Sequence, residues 1–352
     1  MRRNLVVVGA SAGGIDALRR VVAGLPADFP AALCAVIHVS HDAPGILDRI
    51  LQRAGSLPAV MVKDEERLRD GVIYVPRPDH HLIVEPARLC ATRGPKENRF
   101  RPAVDPLFRS AAQTYGPQVI GVILTGALDD GTAGLWTVKQ LGGVAVVQDP
   151  DDAEARSMPQ SACEHVRVDY CVPLRRIASL LVELATQDIA EAGGYSVPES
   201  INIEVEIAKE NAALELGIEA LGVPSRYACP ECHGVLLQLK EGDRVRFRCH
   251  TGHAYSAEAL VAGMDPAIEE SLWSSIRALQ EKILLVRHLE GHARAQQDER
   301  GAEVLGQLAE HAQRRADLLR RAVWQAEVAP ADDVVPRYGA PKAPGSQGRA
   351  DA

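Results

Sequence analysis

The fold is decided by the stretch Leu5-Val6-Val7-Val8-Gly9-Ala10-Ser11-Ala12-Gly13-Gly14, an apolar run that ends in a glycine-rich turn. A helical pattern follows the turn and extends to Gly24. An unbroken apolar run favours a strand that is buried on both faces. A strand, a glycine turn and a helix in this order predict the start of a parallel α/β sheet, with the turn at the carboxyl edge.

The same alternation continues to about residue 185. Strands are predicted at 33–37, 72–75, 81–85, 119–124, 144–148 and 168–172, and helices at 45–52, 105–115, 131–141 and after 172. The predicted fold class is therefore α/β, a doubly wound and mostly parallel sheet, in a domain covering residues 1–187.

Four further segments are predicted. A connector (188–225) contains a helix from Ile203 to Leu221, and a compact Cys/His unit follows at 226–258. A helical hairpin (259–328) has its break at Gly301, and a Pro- and Gly-rich tail (329–352) is expected to be disordered. An apolar stripe runs along the first hairpin helix; an internal hairpin core is the favoured interpretation, with a coiled-coil partner or dimer seam as the alternative.

Composition excludes some classes of function. The chain of 352 residues has a formal net charge of −8 and shows no stripe of Lys or Arg, which argues against nucleic-acid binding. No apolar run approaches the ~18 residues needed to cross a bilayer, and the start lacks the features of a signal peptide. We therefore expect a soluble cytoplasmic protein that does not insert into membranes.

Ser11 lies on the glycine turn in a Gly-x-Ser-x-Gly arrangement. Such a turn exposes the hydroxyl at the sheet edge, where N–H groups at the helix start face a developing oxyanion. Two alternatives are a serine that only caps the helix and a dinucleotide-binding turn. The second is disfavoured because Ser11 stands in place of the middle glycine and the next strand ends in His38 rather than an acid.

A serine nucleophile needs a base, and the base needs an orienting carboxylate. His38 ends the second strand and is the candidate base, with His41 as the alternative. Asp130 follows the strand at 119–124 and is the candidate acid, the alternative being an N-cap of the helix that starts at Gly131.

The ordered set of motifs resembles the catalytic domain of the chemotaxis methylesterases, the CheB family. It consists of Gly9-Ala-Ser11-Ala-Gly-Gly14, Ile37-His38, Arg101-Pro-Ala-Val-Asp105, Leu124-Thr-Gly126, Asp130-Gly131, Gln148-Asp-Pro and Ser157-Met-Pro159. The resemblance covers about residues 4–185.

The resemblance implies that Ser11, His38 and Asp130 hydrolyse glutamyl methyl esters on the cytoplasmic helices of receptors, without a catalytic cofactor. It also implies that the N–H groups of Ala12 and Ala127 hold the oxyanion, that Arg101 lies in the substrate region, and that glutamine deamidation is a secondary activity.

Two departures from the family pattern stand out. The family usually carries Gly-Met-Gly where this chain has Gly126-Ala127-Leu128, so a positive φ at Leu128 would be strained. The expected consequence is either weaker activity or an altered substrate. The serine turn also begins too early for a receiver domain to precede it, so phospho-control is expected to come from a separate receiver or another signalling protein.

Cys229-Pro-Glu-Cys232 and Cys249-His-Thr-Gly-His253 flank a predicted hairpin that turns at 241–243. Two such knuckles provide four ligands suited to tetrahedral zinc, with His250 as the alternative to His253 and an unligated redox pair as the competing interpretation. A closed four-ligand site is structural, so we expect it to serve interaction or regulation.

Two functions follow. The first is the methylesterase, and the alternative is a weak or inactive methylesterase-like scaffold for signalling. Intact Ser11, His38 and Asp130 favour the first, and the Ala127-Leu128 change is the argument for the second.

Overall fold

The computed structural model describes residues 1–39, 42–189, 195–210, 213–241 and 244–325. In this part of the chain, a seven-stranded sheet runs in the order β10-β9-β8-β1-β2-β5-β3, and all of its pairings are parallel. Its strands are β1 (Leu5–Ala10), β2 (Ala32–Ile37), β3 (Ala59–Val62), β5 (Ile73–Pro76), β8 (Val119–Ile123), β9 (Val144–Gln148) and β10 (Tyr170–Val172). The predicted parallel α/β fold is confirmed.

Helices cover both faces of this sheet. Side chains of β1 alternate between two apolar clusters: Val6 and Val8 belong to one, Leu5 and Val7 to the other. The first cluster includes residues of α1 (Gly14–Ala23), α2 (Leu47–Gln52) and α6 (Leu174–Thr186). The second includes residues of α3 (Val104–Tyr115), α4 (Thr132–Gln140), α5 (Ser157–His165) and α7 (Glu199–Glu210). The strands are buried on both sides, which explains their unbroken apolar sequences.

Several elements differ from the sequence prediction. Strand β6 (His81–Glu85) does not join the main sheet but pairs with β7 (Arg88–Thr92), which in turn pairs with β4 (Glu65–Arg67) in a small antiparallel sheet. Strands β3, β4 and β7 and helix α5 were not predicted. They are short or mixed in polarity, so no sustained period marks them.

The predicted connector helix from Ile203 to Leu221 is wrong in its second half. Helix α7 ends at Glu210, residues 213–217 form turns, and Ile218–Leu221 is a 3₁₀ turn. Gly217 has φ 80, a left-handed conformation that an α-helix does not accept, and it closes the turn.

The Cys/His unit forms a four-stranded antiparallel sheet. Its strands are β11 (Val223–Ala228), β12 (Val235–Glu241), β13 (Arg244–Cys249) and β14 (Ala254–Ser256), paired in that order. The predicted hairpin corresponds to β12 and β13, and residues 242–243 of its turn lie outside the described residues.

The chain divides into a unit that includes Met1–Leu260 and a second unit, Val261–Val335. The second contains most of α8 (Ala257–Ala295) and all of α9 (Glu299–Gln325). The predicted break at Gly301 is wrong: Gly301 lies in α9, and the Asp298 carboxylate accepts its N–H at 2.9 Å, which caps the helix earlier. Along the apolar stripe, Ile276, Ile283 and Val286 are buried, whereas Ile268 and Leu289 are exposed.

No helix of the described residues is long and apolar enough to cross a membrane. The tail at 329–352, expected to be disordered, lies outside the described residues.

Candidate active site

Ser11 leaves the end of β1 on a turn that only small residues allow. Gly13 has φ 72, and a side chain there would meet Glu154. Gly126, on the neighbouring loop after β8, packs so closely that a Cβ would lie 3.0 Å from the Ser11 Cβ and 2.4 Å from the Met158 Sδ. These glycines explain how the hydroxyl reaches the sheet edge with two backbone loops against it.

The structure brings Ser11, His38 and Asp130 together from three adjacent strand ends. The His38 Nδ1 lies 3.2 Å from the Ser11 Oγ, and its Nε2 lies 2.6 Å from the Asp130 Oδ2. In a neutral imidazole, this arrangement places the proton on Nε2, which donates to the carboxylate, and leaves Nδ1 to accept the hydroxyl proton. Side chains of His38 and Asp130 are almost fully buried.

Phe100 holds the imidazole from its face. The two rings are stacked with centroids 3.8 Å apart and an interplanar angle of 6°. The stack and the two hydrogen bonds together restrict rotation of the His38 ring, so that Nδ1 stays directed at Ser11.

The Asp130 carboxylate is surrounded by donors. Its Oδ2 accepts the Val104 N–H at 2.7 Å, and its Oδ1 accepts the Asn98 Nδ2 at 2.9 Å and the Asp105 N–H at 3.3 Å. Burial by itself raises the pKa of Asp130, but these bonds and above all the one from His38 outweigh it and lower the pKa to about 2. The carboxylate is therefore ionised at neutral pH.

The alternative role of Asp130 as an N-cap of α4 is not what the structure has. Residue Gly131 occupies that cap, and α4 has no side-chain cap hydrogen bond. The Asp130 Oδ1 accepts the N–H of Gly131 itself at 2.9 Å, and the carboxylate also receives N–H groups from the first turn of α3, where the helix dipole favours a negative charge.

The backbone N–H groups of Ala12 and Ala127 have no acceptor among the described residues, and the same is true of the following residues, Gly13 and Leu128. The preceding groups are occupied, since the Ser11 N–H donates to the Thr125 carbonyl and the Gly126 N–H to the Ala155 carbonyl. Leu128 has φ 60, so this non-glycine residue does hold the positive φ that would be strained for it.

An open cleft of about 470 Å³ lies in front of Ser11 and His38. Lys96, Arg99 and Arg101 line it, with Asp79 as the acidic member. The Arg101 guanidinium is held by Asp79 at 2.8 Å and by the Gly94 carbonyl at 2.8 Å. Lys96 is paired with Glu231 at 3.2 Å, so Arg99 is the lining cation that has no ion pair among the described residues. His41, the alternative base, lies outside the described residues.

Cys229, Cys232, Cys249 and His253 form a second cluster, in which one ligand atom of each lies within 4.8 Å of the others. The Cys232 and Cys249 sulfurs are 3.5 Å apart, and the His253 Nδ1 is 3.7 Å from the Cys229 sulfur and 3.6 Å from the Cys249 sulfur. A tetrahedron with Zn–S of about 2.3 Å and Zn–N of about 2.0 Å has edges of roughly 3.5–3.8 Å. The spacing fits a tetrahedral ion, and His250 is not part of the cluster.

Comparison with known proteins decides the family. A family model described as CheB methylesterase matches residues 6–181, half of the chain, and includes Ser11, His38 and Asp130. The chain belongs to the CheB methylesterase family.

Relatives of known name agree with this CheB assignment. A Leptospira interrogans protein named putative protein-glutamate methylesterase/protein-glutamine glutaminase is 37% identical over 192 residues, which are 54% of this chain and all of that protein. A Xanthomonas campestris protein named protein-glutamate methylesterase/protein-glutamine glutaminase 1 is 37% identical over 190 residues, 52% of each chain. The crystal structure of the Thermotoga maritima CheB methylesterase catalytic domain is 32% identical with a TM-score of 0.50, covering 52% of this chain and all of that one.

Sequence reasoning missed two residues of this CheB site, Asn98 and Phe100. Both precede the Arg101-Pro motif that was recognised, but a single sequence gives no signal that an amide will meet Asp130 or that a ring will stack on His38. Their contacts come from the path of residues 96–101 between β7 and α3.

Proposed function

We propose that the protein is a protein-glutamate methylesterase that uses Ser11 as nucleophile, His38 as general base and Asp130 as its orienting acid. The observation that carries the proposal is the continuous chain of contacts from the Ser11 Oγ through both imidazole nitrogens to Asp130. Catalytic serines need this connection, because the hydroxyl is a poor nucleophile unless a base takes its proton.

The geometry supports a two-step mechanism. His38 Nδ1 takes the Ser11 proton as the Oγ attacks the ester carbonyl, and the same nitrogen then protonates the leaving methoxide, which departs as methanol. Water next attacks the acyl-serine carbonyl while His38 takes one of its protons. His38 then passes this proton to the Ser11 Oγ as the acyl bond breaks, which releases the glutamyl carboxyl group and restores both Ser11 and the neutral imidazole. Asp130 stays ionised and stabilises the imidazolium in both steps.

The oxyanion of both steps is assigned to the N–H groups of Ala12 and Ala127. Ala12 follows Ser11 in the chain, Ala127 follows Gly126, which packs against Ser11, and neither N–H donates to a described group. One well-placed donor contributes about 3–4 kcal/mol to stabilisation of the transition state.

The cleft favours an acidic protein substrate. Arg99, which has no ion pair among the described residues, would face the carboxylates that surround a methylated glutamate on a receptor helix, with the paired Lys96 and Arg101 beside it. Because Asp79 fixes the Arg101 guanidinium, we assign Arg101 to shaping the side of the cleft rather than to binding the oxyanion. A substrate on cytoplasmic receptor helices implies a cytoplasmic enzyme.

Deamidation of glutamine is proposed as a second activity. An amide presents the same acyl geometry to Ser11 with a poorer leaving group, and the relatives named above carry glutaminase in their names.

The decisive experiment measures methanol release from methyl-esterified receptor fragments by the wild type and by Ser11→Ala. We expect Ser11→Ala to lose release by at least about 10³-fold. Equal release by the two proteins would reject the enzymatic function. The alternative, an inactive methylesterase-like scaffold for signalling, would then remain, although the ordered Ser11–His38 contact disfavours it.

We also propose that Cys229, Cys232, Cys249 and His253 bind one structural zinc ion. The Glu231 carboxylate 3.7 Å from the His253 Nε2 supports this, because such a carboxylate orients a metal-bound histidine. Purified protein should carry about one zinc per chain by elemental analysis. Metal-free protein with an unchanged fold would refute the site.

The domain limits we propose are 1–187 for the catalytic domain, 188–225 for the connector, 226–258 for the Cys/His unit and 259–328 for the hairpin. The change from the parallel sheet to the antiparallel sheet of β11–β14 supports the boundary near 225.

A further inference from the structure

The catalytic loop is in contact with the Cys/His unit. Ser256 ends β14, and its hydroxyl donates to the Asp129 carboxylate at 2.7 Å. The Arg244 guanidinium, at the start of β13, donates to the other oxygen of Asp129 at 3.1 Å. All three side chains are buried. Side chains from two strands of the Cys/His unit, β13 and β14, therefore hold Asp129, the residue next to the catalytic acid.

A second link reaches Asp130 itself. The Ser256 N–H donates to the Asn98 Oδ1 at 2.9 Å, while the Asn98 Nδ2 donates to the Asp130 Oδ1 at 2.9 Å and to the Asp105 Oδ2 at 3.0 Å. The Asn98 N–H also donates to the Ala254 carbonyl at 2.8 Å. Both the amide and the backbone of Asn98 are therefore set by β14.

Strand β14 follows directly on a turn whose two ends belong to the Cys/His cluster. Cys249 ends β13, and His253 immediately precedes β14. The turn between them is closed by the Cys249 N–H to the His253 carbonyl at 2.9 Å, and the Arg248 guanidinium donates to the Gly252 carbonyl at 2.9 Å. Gly252 has φ 100 and packs against Pro95, where a side chain would collide. Cys249 and His253, two of the four proposed ligands, therefore lie at the two ends of the turn that precedes β14, the strand that carries Ser256.

We propose, resting on the esterase function above, that the Cys/His unit is a clamp for the catalytic acid. Asn98, Ser256 and Arg244 are positioning residues: they fix Asp129 and Asp130, and an ion bound at Cys229, Cys232, Cys249 and His253 fixes them. Turnover at Ser11 accordingly depends on occupation of a site that takes no part in the chemistry.

The test compares Ser256→Ala and Arg244→Met with matched changes in β11 of the same sheet, Ser225→Ala and Arg226→Met. Arg226 is exposed and Ser225 is half-buried, and neither has a described contact with Asp129 or Asn98. We expect kcat for methyl-ester hydrolysis to fall about 10- to 100-fold in the first pair, as misplacement of a catalytic group does, with KM within about twofold of wild type. Arg244→Lys, which keeps a cation for Asp129, should restore part of the loss. Equal kcat in the two pairs would overturn the proposal.

A chelator arm tests the role of the ion on the unaltered full chain. After treatment with a strong zinc chelator, we expect the same fall in kcat and a slower reaction of Ser11 with a fluorophosphonate, both reversed by added Zn²⁺. Near-ultraviolet circular dichroism should show that the catalytic domain remains folded. Full activity after metal loss would overturn the clamp. Collapse of the catalytic domain would also overturn it, because the unit would then be a general stabiliser.

Failure of the clamp and failure of the esterase are distinguishable. If wild type and Ser11→Ala release methanol equally, the esterase function fails. If wild type alone is active and neither chelation nor Arg244→Met lowers kcat, the clamp fails alone. Should Ser256→Ala not fold, the chelator arm decides.

Discussion

At the scale of single residues, Leu128 holds a conformation that its side chain opposes. Its φ of 60 is left-handed, which costs a non-glycine residue roughly 1–2 kcal/mol, and it is only partly buried. Leu128→Gly should therefore raise the free energy of unfolding by about 1 kcal/mol, measured by urea denaturation. Leu128→Ala keeps the strained Cβ and serves as the control. Equal gains from Gly and Ala would show that the side chain, not the backbone, sets the effect.

Asp129 gives a second test at this scale, through pH. Burial raises its pKa to about 6 although Arg244 lowers it, so between about pH 4 and 6 the folded state holds a proton that the unfolded state has released. Stability from this group therefore falls as pH rises through that interval, by on the order of 3 kcal/mol. Asp129→Asn should make the free energy of unfolding less dependent on pH over this interval, as measured by urea denaturation at several pH values. Burial and the neighbouring Asp130 also raise the pKa of Asp105, to about 7. Because Asp105 is present in both proteins, its contribution to the pH dependence cancels when their curves are subtracted. Parallel curves for the two proteins would contradict the assignment.

At the scale of elements, a buried cluster of charges joins α3, α7 and β13. Glu204 of α7 lies 3.0 Å from Arg246 and 2.8 Å from Arg248, and Glu97 lies 2.8 Å from Arg248 and pairs with Arg109 of α3. Glu204→Gln would leave buried guanidinium groups short of a counter-charge. We expect it to lower the free energy of unfolding by about 3 kcal/mol. Glu206→Gln, which removes a partly exposed partner of Lys209 on the same helix, should change it by less than about 1 kcal/mol. If the two variants lost similar amounts of free energy of unfolding, the buried charge cluster would contribute no more to stability than the partly exposed Glu206–Lys209 pair.

The same elements show what the sequence can predict. The buried strands β1, β2, β8 and β9 and the turn at Ser11 follow from long apolar runs and glycines, so their places at the sheet edge were predictable, as was His38 beside them. The Cys/His cluster follows from the spacing of Cys229, Cys232 and Cys249. The docking of β13 and β14 was not predictable, because Arg244, Arg246 and Arg248 alternate with apolar residues as they would on a solvated strand. These three arginines are buried because β13 packs against elements that are distant in the chain and that carry their carboxylate partners.

At the scale of the whole molecule, the parallel sheet and the Cys/His sheet belong to one unit, and their unfolding should be coupled. A bound ion stabilises the folded state in proportion to the logarithm of its concentration over its Kd, so it holds the Cys/His sheet until the catalytic domain melts. Calorimetry of the zinc-loaded protein should therefore show one shared transition for the two sheets. After chelation, a new transition at lower temperature should report loss of the Cys/His sheet, with the catalytic domain melting later. Since removal of the ion releases the clamp, the chelated protein should already show the lowered kcat below its first transition, whereas the loaded protein should keep full activity up to the shared transition. Wild-type kcat in the chelated protein below its first transition would separate catalysis from the state of the Cys/His sheet.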